Sequence, residues 1–322
     1  MDWCEQSQID PFHPSIPEVA RFLTSLFNKN LSIKTVQGYR SAISTTLSAC
    51  SDINLTDSRD LHDLIQSMFL QRPKPDIQVP EWNLALVLRR LLEKPFEPAD
   101  ESTLQHWTWK TVFLIMLASG RRRGELHALR DDYTRGENWE FVRFKPKINF
   151  VAKSHSARNA QGALDSVRIP ALSIVGRSDP DHRLCPVRAF KWYWKKTEHI
   201  RSAFSKPAPL FLPIKEGQKD PIRPQTISSW IKQTIALAYQ LSTDHDFKMV
   251  RARPHQLRGL STSWNYQHSL NLQQILDAAS WASHNSFTSF YLREITEIKD
   301  ELYRLGPLVM AQQVVLPPSS RQ

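Results

Sequence analysis

Three apolar stripes at helical spacing occupy the first 72 residues of the chain. Pro17 suits the first position of the first helix, Ser32 can cap the second, and the third extends over about residues 59–70. The stripes consist of Val19, Phe22, Leu23, Leu26 and Phe27, then Ile33, Val36, Ile43 and Leu47, and finally Leu61, Leu64, Ile65, Met68 and Phe69. This pattern predicts a small, all-helical N-terminal unit.

The second of these helices also has a polar face, with Lys34, Gln37 and Arg40 pointing outward. A solvated helix shows this pattern, and so does a helix that follows a DNA backbone. We therefore treat the three residues as candidate DNA contacts and as a solvated face in parallel.

A proline-rich segment divides the chain. Residues 71–80 read QRPKPDIQVP, with mixed charge and no periodicity, which is typical of a semi-rigid linker. The predicted organisation is an N-terminal domain over 1–72, a linker over 73–80, a second domain over 81–305, and a tail over 306–322. The tail is rich in Pro, Ser and Gln, and we expect it to be flexible or to dock on a neighbouring protomer.

The second domain combines helical spacing with a short region of strand-like alternation. Helices are predicted over 81–93, 102–119, from Pro186 onward, over 225–241, and as two or three helices within 251–293. Strands are predicted over 139–144, 148–152 and 167–169. The predicted fold class is therefore mainly α with a small β-sheet.

The charge, the cysteine content and the apolar runs of the chain restrict its possible partners and cellular compartment. The chain has 42 Lys and Arg against 32 Asp and Glu, a net charge of +10, which favours a polyanionic partner, with nucleic acid ahead of an anionic membrane surface. The three cysteines form neither a metal-binding spacing nor a disulfide framework. The longest apolar run, 112–118, is too short to span a bilayer, and no signal peptide opens the sequence. We expect a soluble intracellular protein.

The sequence SGRRRGEL, residues 119–126, follows the most apolar helix. Gly120 is expected to end that helix and Gly124 to permit close backbone approach. Three consecutive arginines between apolar elements are poorly explained as solvated surface. We expect one of them to point inward, held by Glu125, and to present its guanidinium to an anion.

A second group of candidate residues lies in 251–293. His255 and Arg258 are three residues apart, so they share a helical face and can clamp a phosphate. Tyr291 lies further along and is a residue type that forms covalent intermediates. The alternative interpretation is a solvated helix face or a structural hydrogen bond for the His and Arg pair, and a tyrosine that belongs to the core.

These motifs, taken in chain order, resemble the tyrosine recombinase (phage integrase) family. LCPVRAF, FVAKS, HQLRGLSTSW and WASHNSFTSFYLR look most like the recombinases of DIRS- and Ngaro-type eukaryotic retrotransposons. The resemblance covers nearly the whole chain, and its specificity lies in the order of motifs that are individually weak. It implies an N-terminal helical core-binding (SAM-like) domain and a catalytic domain that form a C-shaped clamp on DNA.

The resemblance also assigns roles to individual residues. Arg122 corresponds to the first catalytic arginine, with Arg121 and Arg123 as alternatives and as candidate DNA contacts. Glu125 corresponds to the acidic residue that supports it, and His255 and Arg258 to the family's His-x-x-Arg pair.

Two further roles follow from the same resemblance. Lys153 corresponds to the hairpin lysine that protonates the leaving 5′ oxygen, with Lys145 and Lys147 as alternatives. Tyr291 corresponds to the nucleophile and fits better than Tyr303.

One position, a His in most of the family and a Trp in some members, has two candidates. Trp281 lies ten residues and His284 seven residues before Tyr291, and the common spacing of the family falls between. The flanking AASWASHNSF favours Trp281, whose indole N–H can donate to a phosphate oxygen.

The implied activity is cleavage and rejoining of double-stranded DNA through a 3′-phosphotyrosyl link, with no metal, ATP, other cofactor or small-molecule substrate. The resemblance further implies a homotetramer on DNA, a mobile-element context and a nuclear location, with no membrane association. Two alternatives remain: a catalytically silent DNA-binding derivative, and a type IB topoisomerase-like enzyme that relaxes supercoils.

Overall fold

The computed structural model describes eight stretches of the chain: residues 2–51, 54–73, 82–152, 166–172, 182–215, 217–218, 220–242 and 256–259. The chain divides into two compact units, residues 1–76 and 77–322. Within the described residues the fold is mainly helical with one small antiparallel sheet, which confirms the predicted class.

The first unit is built from the helices α1 (Asp2–Ser7), α2 (Ile16–Asn28), α3 (Ile33–Cys50) and α4 (Arg59–Gln71). The last three confirm the helices predicted from the apolar stripes, whereas α1 was not predicted because it buries no residue. Ser32 caps α3 by accepting a hydrogen bond from the N–H of Thr35 at 3.1 Å. The stripes meet in one core that includes Leu23, Val36 and Leu61.

The second unit contains the helices α5 (Leu84–Arg90), α6 (Leu104–Ser119), α7 (Arg123–Ala128), α8 (Pro186–Arg201) and α9 (Pro224–Gln240). Helix α6 is its centre, because every residue from Trp107 to Ser119 is buried. A helix that is apolar on all sides must be surrounded by other elements, and α8, α9 and the sheet supply that cover. No helix among the described residues has the length and apolar character that a membrane crossing requires.

The sheet consists of β1 (Leu129–Arg135), β2 (Phe141–Pro146) and β3 (Val167–Pro170), in that order and all antiparallel. Strands β2 and β3 confirm two of the predicted strands. The strand predicted over 148–152 is wrong: these residues form turn and coil, with Ile148 80% and Val151 71% exposed. Strand β1 was not predicted, and it pairs with β2 through Tyr133 and Phe144.

Candidate active site

The arginine-rich motif lies across the connection between α6 and α7. Gly120 ends α6 with a φ of 57°, in the left-handed region, and its N–H donates to the carbonyl of Met116 at 2.9 Å. Glycine adopts this conformation without steric cost, as the sequence predicted. The chain then enters α7, for which Arg122 is the N-cap residue.

Glu125 holds Arg122 through two hydrogen bonds. The Arg122 backbone N–H donates to Glu125 Oε2 at 3.3 Å, and its guanidinium Nη1 donates to Oε1 at 3.1 Å. A glutamate at the third helical position satisfies an N–H at the start of the helix and lies at the positive end of the helix dipole. The Glu125 side chain is 2% exposed, while that of Arg122 is 21% exposed. Arg122 therefore combines a fixed orientation with access to solvent.

Arg121 is the arginine that points inward. Its side chain is 2% exposed, and its Nη1 lies 3.9 Å from Glu125 Oε2. We expected a single arginine to be both inward-pointing and available to an anion, but the structure divides these properties between Arg121 and Arg122. The burial of Arg121 leaves it almost no surface for the direct DNA contact predicted for it.

Arg123 and the rest of α7 are fixed on helix α9 and the segment before it. The Arg123 guanidinium donates to Ser228 Oγ at 3.3 Å, and His127 Nε2 lies 2.7 Å from the Ile222 carbonyl oxygen. Arg123 is half-buried, so part of its side chain remains open to solvent. The close backbone approach predicted at Gly124 is wrong for the described residues, because a Cβ there would meet no atom within 4 Å.

The candidate hairpin lysines lie in or after the second strand. Lys145 in β2 forms an ion pair with Asp132 at 2.9 Å, and both side chains are exposed. The backbone N–H of Lys147 donates to the carbonyl of Ala128 at 2.7 Å. Lys153 lies in the connection from β2 to β3, outside the described residues.

Arg258 lies in a helical turn over 256–259 and is fully buried. Its neighbour Leu257 belongs to the core of the second unit, and Gln256 Oε1 accepts a hydrogen bond from Trp82 Nε1 at 3.0 Å. This turn is therefore part of the interior, so the interpretation of Arg258 as a solvated surface residue is wrong. The other predicted residues of this region, His255, Trp281, His284, Tyr291 and Tyr303, lie outside the described residues.

The candidate DNA contacts of the first unit lie on helix α3. Lys34 and Gln37 are exposed, as predicted from the polar face. Arg40 is half-buried, and its Nη2 donates to the Thr56 carbonyl at 3.1 Å. Lys34 and Gln37 therefore offer more surface to a ligand than Arg40 does.

A buried charge cluster next to α6 was not predicted. Lys110 Nζ donates to Glu97 Oε1 at 2.5 Å and to the Leu91 carbonyl at 2.7 Å, and Arg188 of α8 donates to the same Glu97 oxygen at 2.7 Å. Burial lowers the pKa of Lys110 to about 8, against the opposing effect of Glu97. The sequence signal was Lys110 itself, the one Lys, Arg, Asp or Glu residue in α6. The cluster ties α6 to α8, and so supports the helix that ends at the arginine motif.

Comparisons with known proteins identify solved structures that have a similar fold. No protein-family model matches the chain, and no curated protein matches it. Among solved structures, the XerH site-specific recombinase, bound to its difH substrate in a pre-cleavage complex, matches with a TM-score of 0.52 and 15% identity. That match covers 84% of this chain, which spans 65% of the XerH chain.

The Tn1549 transposon integrase is a second structural neighbour. Its complex with circular intermediate DNA matches with a TM-score of 0.51, and its complex with transposon right-end DNA with 0.54, both at 13% identity. Each match covers 89% of this chain and 83% of the integrase chain. The described chain therefore has the fold of tyrosine recombinase catalytic domains.

Proposed function

We propose that this chain is a site-specific DNA recombinase of the tyrosine recombinase family. The observation that carries this proposal is the double link from Glu125 to Arg122, at the connection between two helices of a recombinase fold. An arginine that is oriented by a buried carboxylate and open to solvent suits the binding of a phosphate anion. The structural neighbours were solved with DNA bound, which supports double-stranded DNA as the partner.

The proposed reaction transfers a phosphoryl group between two hydroxyl oxygens. The phenolic oxygen of Tyr291 attacks the scissile phosphorus, a 3′-phosphotyrosyl bond forms, and the bond to the 5′ oxygen breaks. Lys153 donates a proton to the departing 5′ oxygen, and the phenolic proton of Tyr291 passes to solvent water, from which Lys153 is reprotonated, so the protons balance. Rejoining is the reverse reaction with a 5′ hydroxyl, so the energy of the phosphodiester is conserved and no ATP is needed.

The remaining residues stabilise charge on the phosphorane. Arg122 and His255 donate hydrogen bonds to its non-bridging oxygens, and Trp281, or alternatively His284, completes the set. Arg258 is fully buried in the described turn, and its place among these donors rests on the resemblance of its motif to the family. These donors perform the electrostatic task that metal ions perform in other phosphoryl-transfer enzymes. The metal-independent reaction rests on the resemblance of the motifs to the family.

The biological context is proposed on the same sequence motifs. We propose a recombinase of a DIRS- or Ngaro-type mobile element that acts in the nucleus as a homotetramer on DNA. The net charge of +10 is consistent with affinity dominated by phosphate contacts, which makes binding strongly salt-dependent.

The test of the reaction uses a pool of nicked duplexes with randomised sequence around the nick, so that the preferred site is selected by the protein itself. The full chain is incubated with the pool in EDTA, and SDS-resistant protein–DNA adducts are recovered and sequenced. We expect adducts enriched in one sequence. Salt-sensitive binding without an adduct would support the silent derivative, and relaxation of supercoiled plasmid without recombinant products would support the topoisomerase-like alternative.

A further inference from the structure

One buried carboxylate serves two guanidinium groups in the candidate site. Glu125 Oε1 accepts from Arg122 Nη1 at 3.1 Å, and Glu125 Oε2 lies 3.9 Å from Arg121 Nη1. Glu125 and Arg121 are each 2% exposed, and Arg122 is 21% exposed. Two positive charges and one negative charge give this group of three residues a net charge of +1.

The second arginine changes what Arg122 offers to an anion. A lone Arg122–Glu125 pair would carry no net charge, and a carboxylate about 3 Å from the guanidinium would repel a phosphate that binds there. This repulsion is strong because Glu125 is shielded from water, so solvent screens its charge only weakly. The buried charge of Arg121 offsets that of Glu125.

Arg121 is also badly placed for any direct role. Its side chain is almost fully enclosed, whereas Arg122, the next residue, reaches solvent. A buried arginine is normally stabilised by a carboxylate partner, and Glu125 fills that requirement. The same carboxylate thus binds one arginine that faces the interior and one that faces the ligand.

We propose that Arg121 is a positioning residue that acts through Glu125: its buried charge offsets the carboxylate, so that Glu125 orients Arg122 without cancelling its charge toward a phosphate. This assignment rests on the proposed function of Arg122 as a phosphate-binding residue. It gives Arg121 a different role from the direct DNA contact expected from the sequence.

The first measurement uses inorganic sulfate as a probe, because it needs no DNA site. The full chain is melted in sulfate and in chloride at equal ionic strength, and the rise in Tm is compared between variants. The part of the rise that disappears in Arg122→Met measures binding at this site. We expect Arg121→Met to lose most of that part and Arg121→Lys to retain much of it, since lysine keeps the charge.

A double variant separates charge from packing. Arg121→Met combined with Glu125→Gln removes one positive and one negative charge, and so restores the net +1 around Arg122. We expect the double variant to recover the sulfate-dependent rise that Arg121→Met lacks. A merely structural role of Arg121 predicts no recovery, because the packing defect remains. The double variant also avoids leaving Glu125 buried with one partner, should Arg121→Met alone fail to fold.

A matched control is available in the same unit. Arg201 is also a buried arginine, 4.0 Å from the carboxylate of Asp131. We expect Arg201→Met to lower the Tm in chloride, as Arg121→Met does, but to retain the full sulfate-dependent rise. Equal loss of that rise in both variants would overturn the proposal, and so would an unchanged rise in Arg121→Met.

The same variants are then compared for adduct formation on the selected nicked duplex. We expect Arg121→Met to form the adduct at least about tenfold more slowly and the double variant to recover part of that rate. An absence of adduct in the wild type would contradict the proposed function while the sulfate measurement still decides the role of Arg121. A wild-type adduct with no dependence on Arg121 would contradict only the present inference.

Discussion

Arg122 is linked to Glu125 twice, once through its backbone N–H at 3.3 Å and once through its guanidinium at 3.1 Å. One carboxylate therefore caps helix α7 and fixes the side chain of its N-cap residue. The orientation of the Arg122 guanidinium, which is proposed to bind phosphate, is thereby tied to the backbone of the helix.

Removal of this carboxylate is expected to affect both stability and reaction. Glu125→Ala breaks a buried ion pair with Arg121, which should lower the free energy of unfolding by about 3–5 kcal/mol in urea titrations. It should also slow adduct formation, because Arg122 loses its orientation. Glu137 in the exposed β1–β2 turn is the control, and Glu137→Ala should change the unfolding free energy by less than about 0.5 kcal/mol. Equal stability of the two variants would contradict the structural role of Glu125.

The two glycines of the motif are expected to respond differently to substitution by alanine. Gly120 has a positive φ, so Gly120→Ala should lower the free energy of unfolding by about 1 kcal/mol. Gly124 lies in helix α7 with open space around its Cβ position, so Gly124→Ala should be neutral or raise it by about 0.5 kcal/mol. Thermal or urea unfolding of the pair checks this. A larger loss for Gly124→Ala than for Gly120→Ala would contradict the described geometry.

The buried lysine predicts a dependence of stability on pH. The pKa of Lys110 is lowered from 10.5 to about 8 by burial, so between these values the folded state binds fewer protons than the unfolded state. The contribution of Lys110 to the free energy of unfolding therefore rises with pH between about 8 and 10.5, because unfolding takes up protons in this range. The difference in unfolding free energy, wild type minus Lys110→Met, should increase by up to about 3 kcal/mol from pH 8 to 10.5. A constant or falling difference in urea titrations would contradict this assignment.

The leaving-group lysine can be identified with a modified substrate. A duplex with sulfur in place of the scissile 5′ oxygen releases a thiolate, which departs without needing a proton. Lys153→Ala should slow adduct formation by about a hundredfold or more on the normal substrate and far less on the sulfur substrate. Lys145→Ala tests one alternative, and because Lys145 pairs with Asp132 at the surface we expect it to have little effect. A deficit in Lys145→Ala or Lys147→Ala that the sulfur substrate rescues would move the role to that lysine.

The helices could be predicted from sequence wherever a one-sided apolar stripe or a capping residue marked them. Ser32 and Gly120 acted as local signals, since a cap or a positive φ depends on the residue itself. The arginine motif was recognised from local sequence as well, because three consecutive cations between apolar elements are improbable as a solvated surface.

Features that depend on distant partners could not be predicted. Strand β1 reads as a charged segment, and the buried Asp131 within it is paired with Lys206 and with the backbone N–H of Ala208, more than seventy residues away. The reverse error occurred at 148–152, where alternation was present but no neighbouring strand pairs with these residues in the described part of the chain. The division of roles between Arg121 and Arg122 likewise required the position of Glu125 in space.

The most direct test of the central claim is to identify the residue that carries the DNA. The adduct formed in EDTA is trimmed with nuclease, digested with trypsin and analysed by tandem mass spectrometry. Tyr291 and Tyr303 fall in different tryptic peptides, 259–293 and 300–304, and fragment ions separate Tyr291 from Tyr266 within the first. The proposed function predicts a phosphonucleotide on Tyr291 and no adduct in Tyr291→Phe. A nucleotide on another residue, or an adduct that persists in Tyr291→Phe, would contradict it.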